Sequence, residues 1–339
     1  MIRSADSLRR ALVVAGLVLS AAMVVRAQVG GDQLNLLARG WMWAARGELV
    51  PYGNPLSSGG NGPGALTTVL AGAPLFAWMD HRAPVVLTWL AHLAAFLLLD
   101  RSLARHLSAG ERLAFVALYW LNPWRLEPSA FLWNPNYLFL AGAVHLATAF
   151  GSRERPRFGL SAAHVLALGL AFQLHPGTLL LAALSGLLWW RGYFRPHWGG
   201  VAAGALVALA TLAPWLAAAR AHPEILAAAQ GFPFRGLAYL FPLVKGMLYL
   251  VRYPSLALNS QTTRFDFTES FGAATDRFLA PFASAALAVA GVLSVLAALA
   301  ALWVFFRGRR PFVRWSSGGR PEPGRDWLEG YAALAFVGA

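Results

Sequence analysis

Cysteine is absent from this chain of 339 residues, and charged residues are scarce. Without cysteine the chain has no disulfide bonds and no metal sites built from thiolates. Charged residues make up 13% of the chain, about half the share found in an ordinary soluble domain, whereas 58% is hydrophobic and the mean hydropathy is +0.52. Several apolar runs approach the ~20 residues that cross a bilayer. The sequence therefore predicts an all-α, polytopic bundle of transmembrane helices.

Lysine is almost absent as well, since Lys245 is the single lysine in a chain with a net charge of +13. The arginines cluster in short loops between apolar runs, which is typical of loops on the cytoplasmic side of a membrane. The charge thus indicates topology, not nucleic-acid binding. The sequence contains no Walker A, GxGxxG, HExxH or DxD motif, and its histidines are dispersed, so we predict no metal and no cofactor.

Residues 30–63 follow the first apolar run, and a helical repeat begins there at Asp32. The polar face of this repeat carries Asn35, Arg39 and Arg46. Its apolar face comprises Leu34, Leu37, Ala38, Trp41, Ala44 and Ala45. We expect a helix that lies on the membrane surface, with an acid at its start.

The distribution of arginine predicts the topology. Arg3, Arg9 and Arg10 place the N-terminus in the cytoplasm, and we interpret the following run as an uncleaved transmembrane helix, not a signal peptide. Every basic loop then falls on the cytoplasmic side if residues 64–79 are re-entrant or lie on the membrane surface. In that arrangement the loops 28–63, 122–136 and 220–280 share the outer face. Residues 160–188 are too long for one crossing and are expected to break at 173–177.

Two regions follow from this topology. Residues 1–306 form the predicted transmembrane core. Residues 307–339 are expected to be a basic cytoplasmic loop followed by the start of a further, truncated transmembrane helix, because 327–339 is too short to cross ~30 Å. The predicted location is a bacterial inner membrane, with the outer loops outside the cytoplasm.

A series of short motifs occurs in an order that resembles a known family. Asp32 follows the first transmembrane helix, and after the surface helix come Gly62-Pro63-Gly64 and then Asp80-His81-Arg82-Ala83-Pro84. This order is similar to that of the GT-C membrane glycosyltransferases, in particular the protein O-mannosyltransferase and aminoarabinose transferase branch. Residues 1–220 carry the resemblance. It implies an outward-facing active site, a polyprenyl-phosphate-linked sugar as donor, inversion at the anomeric carbon, and a lipid, glycan or protein acceptor.

The resemblance also implies roles for individual residues. Asp32 would be the catalytic base, and Arg82 matches the arginine of an Arg-x-x-Pro-like motif in which Pro84 comes one residue early. Beyond the resemblance, our hypothesis for the mechanism gives four cations that could receive the leaving phosphate: Arg82, Lys245, Arg252 and Arg264. The residues expected near the donor or acceptor sugar are Gln33, Asn54, Glu127, Asn134, Asn136 and His175.

The sequence departs from the family pattern at two places. Members often carry Asp-Glu at the first site, whereas here Gln33 follows Asp32. The second acid of the family falls at Asn134-Pro135-Asn136, where amides cannot take a proton. Either Glu127 replaces that acid or one carboxylate suffices, and the departure also leaves open an altered or lost activity.

Other interpretations of the same residues stay open. Asp32 is a favourable helix N-cap, Lys245 and Arg252 can snorkel at the membrane interface, and His175 can cap a helix or pack locally. The whole chain can also be a lipid or glycan transporter, or a non-catalytic membrane scaffold of the same fold. Transporters often place ionisable residues near the midplane and show inverted repeats. Here most ionisable residues lie at the ends of the predicted spans, and no repeat is visible.

Overall fold

The computed structural model describes residues 2–27, 29–56, 60–126, 128–175, 177–226, 265, 267–308 and 327–332. Across these residues the regular structure is helical, and extended pairing is limited to one isolated bridge between Pro55 and Asn61. The prediction of an all-α chain is confirmed.

The helices have the following bounds. In chain order they are α1 (Ile2–Val25), α2 (Asp32–Arg46), α3 (Leu66–Gly72), α4 (Arg82–Leu103), α5 (Ala109–Trp120), α6 (Pro123–Leu126), α7 (Leu138–Gly151), α8 (Phe158–Leu174), α9 (Thr178–Trp190), α10 (Trp198–Thr211), α11 (Ala213–Ala221) and α12 (Thr268–Gly308). Short 3-10 turns occur at Ala73–Phe76, Pro128–Ala130, Asn134–Tyr137 and Pro223–Leu226. Residues 327–332 are also helical.

Three of these helices are long and apolar enough to cross a membrane: α1 over Asp6–Val25, α4 over Arg82–Leu103 and α12 over Ser270–Ala300. The pair α10 and α11, bent by 41°, is a fourth candidate if it forms one broken span. By contrast α7 has 14 residues and a length of about 21 Å, which is less than the ~30 Å of a hydrocarbon core. The orientation of the chain therefore stays a prediction.

Residues 64–79 do not form a full crossing helix. They fold into α3 and the adjoining 3-10 turn, so the helical part Leu66–Phe76 is about 17 Å long. This length fits a re-entrant or surface segment. The break expected within residues 160–188 is confirmed, because α8 ends at Leu174 and α9 begins at Thr178.

The predicted surface helix α2 is present, and it packs on the bundle through a face other than its predicted apolar face. Leu34 and Trp41 are 58% and 42% exposed, whereas Leu36 and Gly40 are buried. α3 packs on this second face, and a Cβ atom on Gly40 would lie 2.7 Å from the backbone carbon of Ala71. The exposed apolar face remains free to contact lipid, and the buried one fixes the start of α2 against the bundle.

Two kinds of packing hold the helices together. Leu19 and Met23 of α1 pack with Ala117 of α5 and Leu287 of α12 in one buried cluster. Small residues allow α8 and α10 to approach closely, since a Cβ on Gly200 would run into the carbonyl of Phe158. The first cluster thus fixes α1 against α5 and α12, and the close contact fixes α8 against α10.

Candidate functional site

A cavity of about 280 Å³ lies where the start of α2 meets three other segments. These segments are the loop 54–63, the turn 133–135 and the last residues of α8. The residues that line the cavity are Asp32, Asn54, Pro55, Leu56, Gly62, Pro63, Trp133, Asn134, Pro135, Phe172, Gln173, Leu174 and His175. Segments distant in sequence thus bring a carboxylate, several amides and an imidazole to one site.

Asp32 is the first residue of α2 and is exposed. The N-cap position belongs to Gly31, whose φ of 53° lies in the left-handed region that favours glycine, and no side chain caps this terminus. The alternative in which Asp32 serves as the N-cap is therefore wrong. Within the described part of the chain, neither hydrogen bonds nor ion pairs engage the Asp32 carboxylate. The positive end of the α2 dipole favours a negative charge at this position.

Asn54 joins the loop to the start of α2. Its Nδ2 donates to the backbone oxygen of Asp32 at 3.1 Å, and the residue is 8% exposed. Its Oδ1 is buried and finds no donor among the described residues. A buried acceptor without a partner is costly, so a bound group carrying a hydroxyl would supply the missing hydrogen bond.

The loop that carries Asn54 is held as a narrow hairpin. The Gly53 N–H donates to the Gly62 carbonyl at 2.8 Å, and the Gly62 N–H donates to the Asn54 carbonyl at 2.9 Å. Arg39 of α2 donates from Nη1 to the carbonyls of Tyr52, at 2.8 Å, and Gly53. Burial lowers the pKa of the Arg39 guanidinium, an effect partly opposed by Tyr52. The arginine on the polar face of α2 therefore anchors the cavity wall.

The end of α8 supplies the opposite wall. Gln173 is 2% exposed and donates from Nε2 to the Thr211 hydroxyl at 2.7 Å. His175 follows as the C-cap residue, and its Nδ1 accepts from the Gly177 N–H at 3.0 Å. Partial burial lowers the pKa of His175, which favours a neutral ring whose Nε2 carries the proton. His175 thus has the predicted local capping contact and also lines the cavity.

The two asparagines at the position of the second acid have different environments. Asn134 lines the cavity, whereas Asn136 is 2% exposed and is absent from its described lining. The Asn136 Nδ2 donates to the carbonyls of Pro128 and Phe131 at 2.6 and 2.9 Å. His92 of α4 donates from Nε2 to the backbone oxygen of Asn136 at 2.9 Å. Asn136 therefore holds the turn that positions Asn134, and a carboxylate could not make the same two bonds.

Arg82 is not among the described residues that line the cavity. It donates from Nε and Nη2 to the two carboxylate oxygens of Asp80 at 2.9 and 2.7 Å, and from Nη1 to the Ser270 hydroxyl of α12 at 3.1 Å. The hydrogen bond from Arg82 is the main cause that lowers the pKa of Asp80 to about 2. The charge of Arg82 is thus balanced by an adjacent carboxylate.

The remaining predicted site residues divide into two groups. Gln33 is partly exposed beside Asp32 but is absent from the described cavity lining. Glu127, Lys245, Arg252 and Arg264 lie outside the described residues, so their roles stay predictions. Conversely, Gln173 and Phe172 line the cavity without having been selected as site residues. The only sequence signal for Gln173 was its place at the break between α8 and α9.

Two of the dispersed histidines meet in space. The ring centroids of His145 and His164 lie 4.5 Å apart, and the Nε2 atoms of both contact the Ser185 hydroxyl oxygen at 2.8 and 2.9 Å. Because Ser185 donates its own proton to the Leu181 carbonyl at 2.9 Å, both imidazoles donate to it from Nε2. Tyr331 contacts His145 Nδ1 at 2.7 Å. Across the described chain no group of three or more metal-ligating side chains occurs.

No protein-family model, no curated protein and no solved structure matches this chain.

Proposed function

We propose that this protein is a membrane glycosyltransferase of the GT-C type. It moves a sugar from a polyprenyl-phosphate donor to a lipid, glycan or protein acceptor on the extracytoplasmic side, with inversion at the anomeric carbon. Asp32 is the general base. The observation that supports this proposal is the cavity that combines the Asp32 carboxylate with the unpartnered Asn54 Oδ1.

The composition of the cavity suits a hydroxyl-rich substrate. Its volume of about 280 Å³ is near the lower end of ligand pockets, which run from roughly 300 to 1,000 Å³. Asn54 offers a buried acceptor and Asn134 an amide, while Trp133 supplies an aromatic ring. A sugar presents many hydroxyl donors and acceptors together with apolar C–H faces, and these match such a wall.

The chemistry needs one carboxylate in the cavity. Asp32 takes the proton from the acceptor hydroxyl or amine as its oxygen or nitrogen forms a bond to the anomeric carbon. The bond from that carbon to the phosphate oxygen breaks, and the phosphate leaves with the electron pair on the opposite side of the sugar ring. Because the leaving group is a phosphate, no second acid is required to protonate it, which agrees with the structural role of Asn136.

The leaving phosphate is expected to approach a cation. Arg82 lies close to the start of α12 and forms an ion pair with Asp80. The other candidates for this role are Lys245, Arg252 and Arg264, as the sequence predicts. Arg82 is bonded to Asp80 in the free protein. When the phosphate leaves, Arg82 would have to release this carboxylate or bind both groups.

A transfer assay tests this proposal. Membranes containing the wild type, Asp32→Asn or Glu48→Gln are incubated with a panel of polyprenyl-phosphate sugars, and the release of lipid phosphate is measured. Glu48 is the matched control, because it is an exposed acid of the same outer region that does not line the cavity. Removing a general base is expected to slow transfer about 10²- to 10⁴-fold, while the control variant keeps its activity.

Two results would contradict the proposal. Normal turnover by Asp32→Asn would remove this carboxylate from the mechanism. If no donor releases lipid phosphate with the wild type, a non-catalytic scaffold becomes the better explanation.

A further inference from the structure

A second cavity of about 480 Å³ is lined in part by the hairpin that carries Asn54. Its lining includes Tyr52 and Asn61 from the hairpin and His222 and Glu224 from the chain after α11. The hairpin therefore contributes to the walls of both cavities.

The hairpin side of this cavity is held firmly in place. Arg39 bonds the Tyr52 carbonyl, and its guanidinium carbon lies 5.1 Å from the centroid of the Tyr52 ring. This cation–π contact and the backbone bond together fix the position of the ring. Tyr52 is thus a preformed aromatic surface in the cavity.

The two sides of the cavity are also tied to each other. The Asn61 N–H donates to the Ile225 carbonyl at 2.9 Å, and the Asn61 Nδ2 donates to the Gly53 carbonyl at 3.0 Å. The Asn61 side chain uses one of its two amide hydrogens in these contacts, so the other hydrogen can still donate to a ligand. Glu224 and His222 form an exposed pair, with Oε1 and Nδ1 3.1 Å apart. The site therefore combines the fixed groups of the hairpin with an exposed ion pair.

The chemistry of the lining restricts the class of ligand. Arginine and lysine are absent from its described residues, and Glu224 carries a negative charge, so an anion such as a phosphate is disfavoured. Four polar side chains are a poor match for a lipid tail, because burying them without partners is costly. A neutral saccharide fits both constraints, since its C–H face packs on an aromatic ring and its hydroxyls bond carboxylate, amide and imidazole groups.

We propose that this second cavity binds the sugar of a glycan acceptor. The assignment to the acceptor depends on the proposed function, whereas saccharide binding itself does not. The hairpin then contributes both to the acceptor site and to the cavity that holds Asp32 and the donor sugar.

Saturation-transfer NMR of the detergent-purified full chain tests the proposal, with methyl α-D-mannopyranoside and methyl α-D-glucopyranoside as probes. The variants are Tyr52→Ala, Tyr52→Phe and Glu224→Gln in the second cavity, and Asp32→Asn in the first. Trp190→Ala is the control, because Trp190 is 75% exposed and belongs to neither described lining.

The expected result is saturable binding of at least one probe by the wild type, weakened about tenfold in Tyr52→Ala. Glu224→Gln also weakens binding, whereas Tyr52→Phe, Asp32→Asn and Trp190→Ala bind like the wild type. If Tyr52→Ala does not fold, Glu224→Gln decides, since the Glu224 side chain is exposed and its replacement leaves the fold unchanged.

Three outcomes would overturn the proposal: no saturable binding of either probe, unchanged binding in both Tyr52→Ala and Glu224→Gln, or loss of binding in Asp32→Asn alone. The last outcome would place the saccharide in the first cavity and leave the proposed function standing. Expected binding combined with an inactive wild type in the transfer assay would instead contradict the proposed function and preserve the saccharide site.

Discussion

Replacing Asn136 with aspartate tests why an amide, and not an acid, stands at this position of the turn. The change is nearly isosteric, so it leaves no void. It removes the Nδ2 group that donates to the carbonyls of Pro128 and Phe131 at 2.6 and 2.9 Å. Asn136 is 2% exposed, so water does not replace the lost donors. Instead, an ionised carboxylate would face two carbonyl oxygens.

The size of the effect follows from those two bonds. Each buried acceptor left without a donor costs about 1–3 kcal/mol, so we expect Asn136→Asp to lower the free energy of unfolding by about 2–6 kcal/mol near neutral pH. Burial and the two carbonyls raise the pKa of the introduced carboxyl above the ~3.9 of an unfolded chain. The raised value means that the deficit is smallest below about pH 4, where the protonated carboxyl donates to one of the two carbonyls, and grows as the pH rises through the folded-state pKa.

Chemical unfolding in detergent, followed by tryptophan fluorescence at several pH values, measures this effect as the difference between variant and wild type. The matched control is Asn134→Asp, since Asn134 belongs to the same turn but lines the cavity. We expect the control to change stability little. The reasoning is refuted if Asn136→Asp is as stable as the wild type near neutral pH, or if its deficit does not shrink on acidification.

Two further predictions concern the elements around the site. Because Arg82 lowers the pKa of Asp80 to about 2, this pair contributes stability that is full above about pH 4 and is lost as the pH falls through about 2. Asp80→Asn should therefore flatten that part of the acid-unfolding profile. An unchanged profile would contradict the pairing. Gly40→Ala should destabilise the protein by about 1–3 kcal/mol in thermal unfolding, because the added Cβ would press on the backbone of α3. Gly142→Ala, which has open space around it, should instead stabilise the protein by about 0.5–1 kcal/mol. Equal effects of the two variants would refute the close packing at Gly40.

The helices and the break in residues 160–188 could be predicted from hydropathy, because apolar runs and turn residues are local signals. The buried face of α2 could not. Leu34 and Trp41 are as apolar as Leu36, so the sequence does not distinguish the two faces, and the helix that packs there decides. That helix, α3, selects the face on which Gly40 permits close contact.

Part of the candidate site could be predicted as well. Asp32, Asn54, Asn134 and His175 were expected on the same outer face, and the structure brings them to one cavity. The structural role of Asn136 could not be foreseen, because the carbonyls it binds belong to residues five and eight positions earlier and carry no side-chain signal.

Some contacts depend on tertiary structure alone. His145 and His164 are 19 residues apart, and their common partner Ser185 lies on a third helix, so no motif spacing relates them. The second cavity was missed for a similar reason, since Tyr52 and Glu224 are far apart in sequence and belong to unremarkable loops.

The most direct test of the central claim is single-turnover kinetics with purified protein and a polyprenyl-phosphate sugar that supports transfer. Donor binding and the rate of sugar transfer are measured separately for the wild type and Asp32→Asn. If the Asp32 carboxylate is the general base, the variant binds the donor like the wild type and transfers the sugar about 10²- to 10⁴-fold more slowly. Transfer by Asp32→Asn at the wild-type rate would contradict the account.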